Sequence, residues 1–179
     1  MISLAGAPVI ETERLRLRAP VGADWAPYCA YATSERAAAI RGPETSKEAF
    51  DAFTRMIGQW VARGFGRFVI EERETGAAIG HVGPLAPEGH PEPELTWTLW
   101  SPENEGRGYA FEAAAAAKTH CESALGLTRM ISLVATGNDR SAALARRLGA
   151  AAESETDFGW GPVWVFRHSA PSPLREDAA

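Results

Sequence analysis

The sequence predicts a single mixed α/β domain, a central mixed sheet of about six or seven strands with helices on both faces. Three observations predict it. Strand-like segments recur between residues 14 and 168, several with apolar and polar side chains alternating. Residues 94–135 read strand, helix, strand with short links, the pattern of a parallel crossover. A chain of 179 residues with 45% apolar and 23% charged side chains suits one core. The domain is placed at residues 9–168, followed by a tail, 169–179, too polar to pack and expected to fray.

The elements follow in order. In "TERLRLRAP", Leu15 and Leu17 alternate with Arg14, Arg16 and Arg18, a half-buried first strand. Asp24 to about Thr33 is expected to be helical. In "TSKEAFDAFTRMIGQWVARG", Thr45 and Glu48 form a capping box and Gly64 a stop, with Phe50, Phe53, Ile57, Trp60 and Val61 expected on one face. "GFGRFVIEERETGAAIGHVGPL" reads as an antiparallel hairpin turning at Glu74 to Gly76, and "APEGHPEPE" as a loop. A strand at Glu94 to Trp100, a glycine loop, and a helix from about Tyr109 to Leu125 closed by Gly126 come next. The alanine run 113–117 serves as helix filler. "RMISLVA" is a strand, Asp139 to Leu148 a short helix, and Ala151 to Phe158 and "PVWVFRH" the last strands.

Composition excludes several function classes. With 18 basic against 23 acidic residues the formal charge is −5, and no basic cluster stands out, so neither nucleic acid nor an anionic membrane is an expected partner. Cys29 and Cys121 lie far apart in helical segments and read as packing thiols of a reduced compartment. The start "MISLAGAPVIETERL" has no charged region followed by a long apolar one, and no run of about 18 apolar residues occurs, so a cytoplasmic protein is expected. His81, His90, His120 and His168 lack the spacing of a zinc site, and no metal is implied. His120 and Cys121 are helix neighbours and diverge.

One loop invites chemistry. "SPENEGRGYAFEA" sets Gly106, Arg107 and Gly108 against a helix start, where backbone N–H groups can form a nest for anionic oxygens, helped by the helix end and by the Arg107 charge. Pyrophosphate is the natural guest. The loop lacks the Gly-Lys-Ser/Thr ending of an NTPase phosphate loop. Phe111 stands where the dinucleotide fingerprint needs its third glycine. Taken alone, the loop could equally be a glycine turn that starts a helix.

"ETERLRLR", "ELTWTLWSPENEGRGYAFEA" and "GNDRSAALARRLGA" together resemble the GNAT superfamily of acyl-CoA-dependent N-acyltransferases, in order and spacing the branch of the ribosomal-protein N-acetyltransferases RimJ and RimL. The resemblance covers roughly Glu11 to His168. It implies that acetyl-CoA is the co-substrate and that the amides from Gly106 through Arg107, Gly108 and Tyr109 to Ala110 hold its pyrophosphate. Glu105 stands where the family has Gln or Arg, leaving the backbone nest intact. Asn138 and Ser141 match an Asn-x-x-Ser that reaches the pantetheine arm, although Asn138 equally suits a helix cap. Many relatives carry a tyrosine near Ala145 that protonates the leaving thiolate. The tyrosines here are Tyr28, Tyr31 and Tyr109, so Ser141 is the expected substitute.

The chemistry implied is direct attack of an amine on the thioester, with no enzyme nucleophile. It requires positioned reactants, an oxyanion donor and a base. A backbone N–H at Leu99 or Trp100 is the expected oxyanion donor. Glu94, acting through water, is preferred as base over His81, while a solvated Glu94 and a core His81 are the plain alternatives. Trp97, Trp160 and Trp164 could line an acceptor pocket or simply pack. The acceptor is expected to be a protein or peptide amino terminus, with a small amine, amino acid or antibiotic second, and a non-catalytic acyl-CoA-binding module as the rival of another class. The chain is expected to act as a monomer or homodimer.

Overall fold

The structure, a computed structural model, describes residues 4–42, 44–90, 92–157 and 161–168. The elements run β1 (Ile10–Glu11), β2 (Leu15–Arg18), α1 (Trp25–Ala32), α2 (Glu35–Arg41), α3 (Ser46–Arg63), β3 (Phe68–Glu72), β4 (Ala78–Leu85), β5 (Glu94–Leu99), α4 (Tyr109–Ala124), β6 (Met130–Ala135), α5 (Asp139–Arg147), β7 (Ala150–Asp157) and β8 (Pro162–His168). Among the described residues, eight strands form one sheet in the order β1-β2-β3-β4-β5-β6-β8-β7. All neighbours are antiparallel except β5 and β6. The expected six or seven strands become eight through β1, a two-residue strand too short to show a period. Helix α2 was not expected from the sequence. Phe158, Trp160 and the tail lie outside the described residues.

Helix α3 shows how the sequence sets an element. Thr45 Oγ1 accepts from the Glu48 N–H at 3.2 Å and Glu48 accepts from the Thr45 N–H at 2.8 Å, satisfying two amides that a helix start leaves unpaired. Gly64, with φ +75°, ends it. Its buried stripe is Ala49, Phe53, Met56 and Trp60 at steps of four, three and four. That phase leaves Phe50 and Val61 exposed, correcting the expectation that both face inward with Phe53. Phe50 instead packs edge-on against Trp25, ring centres 5.1 Å apart.

The two sheet faces bury different helices. On one, Tyr28, Tyr31, Phe53 and Met56 of α1 and α3 pack with Val69 and Trp100. On the other, α4 lays Ala113, Ala114, Ala117 and Cys121, all fully buried, against Leu15, Leu17, Phe68, Ile70, Val82 and Leu95. These small side chains bring the α4 backbone close to the sheet. Burial pushes the Cys121 thiol up to about 12, so it packs as an inert hydrophobe.

Between β5 and β6 the ladder holds one register position, Glu94 opposite Ile131. From there side chains replace backbone partners. The Glu94 carboxyl accepts from the Leu133 N–H at 3.3 Å, and Ser132 Oγ lies 2.6 Å from the Leu95 carbonyl and 2.9 Å from His168 Nε2. The single hydroxyl proton goes to the carbonyl, which cannot donate, so His168 Nε2 carries the hydrogen that Ser132 accepts. Burial pushes the His168 imidazole down to about 4, with the Lys118 charge adding to the effect. It is therefore neutral at neutral pH. Removing the hydroxyl leaves a buried carbonyl and a buried ring N–H unmet. Ser132→Ala should lower stability by about 1–3 kcal/mol, read from urea unfolding midpoints, and an unchanged midpoint would show that the strands part without help from this strut.

Candidate active site

Where β5 and β6 separate, a cleft of about 1330 Å³ passes through the sheet. On the α4 face it is lined by Trp97, Gly108, Phe111, Asn138, Ser141 and Leu144; on the α1 and α3 face by Tyr31, Arg67, His81, Leu85 and Glu94. Residues from distant parts of the chain thus share one opening, and Glu94 stands at its apex.

The glycine loop forms the upper wall. Gly106 and Gly108 take φ of +71° and +83°, and Gly108 is the residue that caps α4. The amides of the first helical turn have no intrahelical acceptor and point out of the helix end. The loop is braced from behind: Arg14 on the approach to β2 donates to the Arg107 carbonyl at 2.9 Å and to Glu112 of α4 at 2.7 Å. Arg107 does not face the cleft, contrary to expectation. Its guanidinium lies 3.4 Å from Glu72 and over the Tyr109 ring, whose hydroxyl donates to Glu72 at 2.5 Å. That ion pair turns the Arg107 charge to the opposite side of the loop.

Other arginines supply positive charge at the cleft. Glu105 accepts from Arg36 of α2 and from Arg140 of α5, drawing the two helices toward the loop. Arg147 stacks on Phe111, 3.6 Å from the ring centre. Arg36, Arg140 and Arg147 all line the cleft, and none was singled out from the sequence. Their signal was faint, because Arg36 lies 69 residues from Glu105 and on a helix that sequence reading missed.

The strand amides divide cleanly. In the antiparallel β4–β5 pair, N–H groups alternate between β4 and the far side. The Trp100 N–H donates to the Ile79 carbonyl at 2.8 Å, so it is engaged, which removes it as an oxyanion donor. Leu99, one residue earlier and opposite Gly80, turns its N–H toward the side where β6 has diverged. Asn138 caps α5, its side chain accepting from the Ser141 N–H at 3.1 Å. Both residues line the cleft all the same. Near Ala145 the helix is buried, and Ala143 and Leu144 face the cleft in place of a tyrosine. Trp97 lines the opening, whereas Trp164 packs against Val134, Ala142 and Phe166.

Glu94 and His81 differ chemically. Glu94 is buried, and desolvation pushes its carboxyl up to about 7 against the opposing Leu133 N–H and the Arg67 charge. His81 is buried too, but its Nδ1 accepts from the Trp100 indole N–H at 2.9 Å. Indole only donates, so Nδ1 is an accepting nitrogen, and Nε2 lies 3.5 Å from the Arg67 guanidinium, so that both ring nitrogens of His81 stand against donors. Anion-holding amides and arginines at one end, an apolar slot, and a carboxyl poised near neutrality at the other can hold a phosphorylated ligand and accept a proton. Among the described residues, no group of three or more His, Cys, Asp or Glu side chains could hold a metal, and no helix is long and apolar enough to cross a membrane.

A family model described as an acetyltransferase (GNAT) domain matches residues 14–151. The chain belongs to the GNAT acetyltransferase family. It is 30% identical over 148 residues to the uncharacterized N-acetyltransferase YoaA of Bacillus subtilis (strain 168), covering 79% of this chain and 82% of that protein. An acetyltransferase from Agrobacterium tumefaciens str. C58 superposes with TM-score 0.83 at 32% identity, over 94% of this chain and 96% of the other. RimL, a ribosomal L7/L12 alpha-N-protein acetyltransferase solved with coenzyme A, shares the fold at TM-score 0.75 and 16% identity, over 91% and 98% of the chains. The protein is an acetyl-CoA-dependent N-acetyltransferase.

Two outcomes test this geometry. Gly108→Val should abolish coenzyme A binding in titration calorimetry with a far-ultraviolet spectrum near wild type. The branched side chain disfavours a φ of +83°, and its Cβ would stand 3.4 Å from Arg14 Nη2. The second concerns stability. Because the folded-state pKa of Glu94 is raised from 4.5 to about 7, native protein keeps a proton that the unfolded chain loses, and stability falls as pH rises through that window. Glu94→Gln escapes this loss. Relative to wild type it should gain up to about 3 kcal/mol in urea unfolding between pH 4.5 and 8.5, and a relative loss would mean that the carboxylate is held by its partners.

Proposed function

We propose that the protein transfers an acetyl group directly to a primary amine at the amino terminus of a protein or peptide, with Glu94 as general base acting through water. The observation that carries this reading is the position of Glu94, at the apex of a cleft continuous with the glycine loop and with a carboxyl near 7. A base of that pKa balances availability at neutral pH against proton affinity. The hydrogen bonding of His81 suits it to hold the wall rather than to accept the proton.

Bound acetyl-CoA supplies an activated acyl carbon for the amine to attack. The amides from Gly106 to Ala110 hold the pyrophosphate, and Arg36 and Arg140 add positive charge beside them. The Leu99 N–H donates to the acyl oxygen as negative charge gathers there, a donor fixed in place before the reaction. Ser141 donates to the departing sulfur and Asn138 orients the helix that carries it. Glu94 receives the amine proton. A neutral-range carboxyl at this place favours catalysis over an acyl-CoA-binding module without turnover. The amino-terminal acceptor is supported by likeness at the level of fold to acetyltransferases named for ribosomal proteins.

With a verified acceptor, Glu94→Gln should lower kcat about 100-fold or more while acetyl-CoA affinity hardly changes, and the wild-type limb rising through about pH 7 should disappear. Ser141→Ala should lower kcat at every pH by the equivalent of about 1–3 kcal/mol. Both profiles matching wild type from about pH 6 to 9 would refute these roles and leave positioning as the source of catalysis.

A further inference from the structure

Past the point where β5 and β6 part, a strand carbonyl takes a side-chain partner from outside the sheet. The Pro93 carbonyl accepts from the Ile131 N–H at 3.0 Å. A parallel ladder continued from there in steps of two would pair the Leu95 carbonyl with the Leu133 N–H and the Leu99 carbonyl with the Gly137 N–H. At Leu95 that place is taken by Ser132 Oγ. At Leu99 it is taken by Arg36 of α2: Nη2 lies 3.4 Å from the carbonyl, and the same nitrogen donates to Glu105. The backbone after β6 bonds to β8 here instead, the Thr136 N–H donating to the Pro162 carbonyl at 3.1 Å.

The placement of Arg36 is built into its helix. Ser34 Oγ accepts from the Ala37 N–H at 3.3 Å and starts α2, and Ala37, fully buried, seats the helix among Tyr28, Tyr31 and Trp100. Glu105, held also by Arg140, anchors the guanidinium at the glycine loop. A guanidinium Nη2 carries two hydrogens in a rigid plane, enough for a carbonyl and a carboxylate together. In an extended strand the N–H and C=O of one residue point to the same side, so a hold on the Leu99 carbonyl also fixes the Leu99 N–H. We propose that Arg36 is a positioning residue for acetyl transfer: it stands in for the missing β6 amide and keeps the Leu99 N–H aimed at the acyl oxygen, with Glu105 as its anchor. The inference rests on the Leu99 donor of the reading above and names the side chain that holds it.

The infrared carbonyl stretch of bound acetyl-CoA, isotope-labelled at the acetyl carbonyl, reads this contact without an acceptor, and titration calorimetry gives the affinity. Wild type should lower the stretch relative to free acetyl-CoA, because a hydrogen bond from the Leu99 N–H weakens the C=O bond. Arg36→Gln and Glu105→Gln should each return it toward the free value. The double variant should go no further than Arg36→Gln alone, since the two residues act as a unit. Arg36→Lys keeps the charge without the planar fork. It should bind acetyl-CoA with near wild-type affinity, yet show a weakened shift and, with a verified acceptor, a kcat lower by about tenfold. A lowered stretch in wild type that none of these variants moves, or a loss confined to acetyl-CoA affinity, overturns the inference and leaves the Leu99 donor standing. A wild-type stretch equal to the free value removes the Leu99 donor and this inference with it, while acetyl transfer stands.

Discussion

The parting of β5 from β6 is the constraint on which the rest of the structure depends. A sheet that pairs along its whole length has no room for a ligand within its plane, and two strands that part expose polar backbone that must find other partners. Here the separation is held by side chains on both flanks. Glu94 takes the Leu133 N–H, while Ser132 bridges the Leu95 carbonyl to His168, itself paired on β8 with Met130 beside it. A buried neutral imidazole thus ties three strands together where the ladder ends. The outward N–H of Leu99 and the nest of the glycine loop face the same opening, because loop and helix α4 continue directly from β5.

The charge pattern follows from this opening. The loop that begins α4 carries an acid, Glu105, and a base, Arg107, and the fold sends their side chains to opposite sides. Arg107 is paired with Glu72 behind the loop, away from the cleft that the loop amides face. Glu105 faces the cleft but draws in Arg36 and Arg140, so an acidic residue at this place brings two cations to the cleft. The acidic side chain at position 105 thus organises positive charge at the cleft.

Local signals were legible in the sequence, and contacts between distant segments were not. Thr45, Glu48 and Gly64 mark the ends of α3 because caps act within three or four residues. The β5–loop–α4 unit shows itself through alternation, two glycines and a helix start in immediate succession. Glu94 could be nominated because its strand was visible, but its carboxyl rises only through burial by residues far along the chain. The direction of Arg107 depends on Glu72, 35 positions away by number, and sequence alone places a loop residue without aiming it. Helix α2 escaped notice because it is a single short run, held by Ser34 accepting from the Ala37 N–H. The Ser132–His168 strut joins residues 36 apart through a sheet order in which β8 lies between β6 and β7, and nothing local announces it.

The same burial that suits Glu94 to its proposed role works against the fold. An ionised carboxylate at that depth is stabilised by a long bond to Leu133 and by the field of Arg67, which together leave its pKa still well above the ordinary value. Full pairing would lower the pKa and strengthen the fold, yet it would weaken the group as a proton acceptor. A carboxyl left in a wholly apolar wall would stay protonated at neutral pH and could accept nothing. Glu94 sits between these limits because its environment combines desolvation with one backbone donor and one nearby cation. Active sites commonly give up stability in this way. Here the conflict is confined to one side chain, placed where the strands have already parted, so that tuning it leaves the packing of α3 and α4 on their respective faces undisturbed.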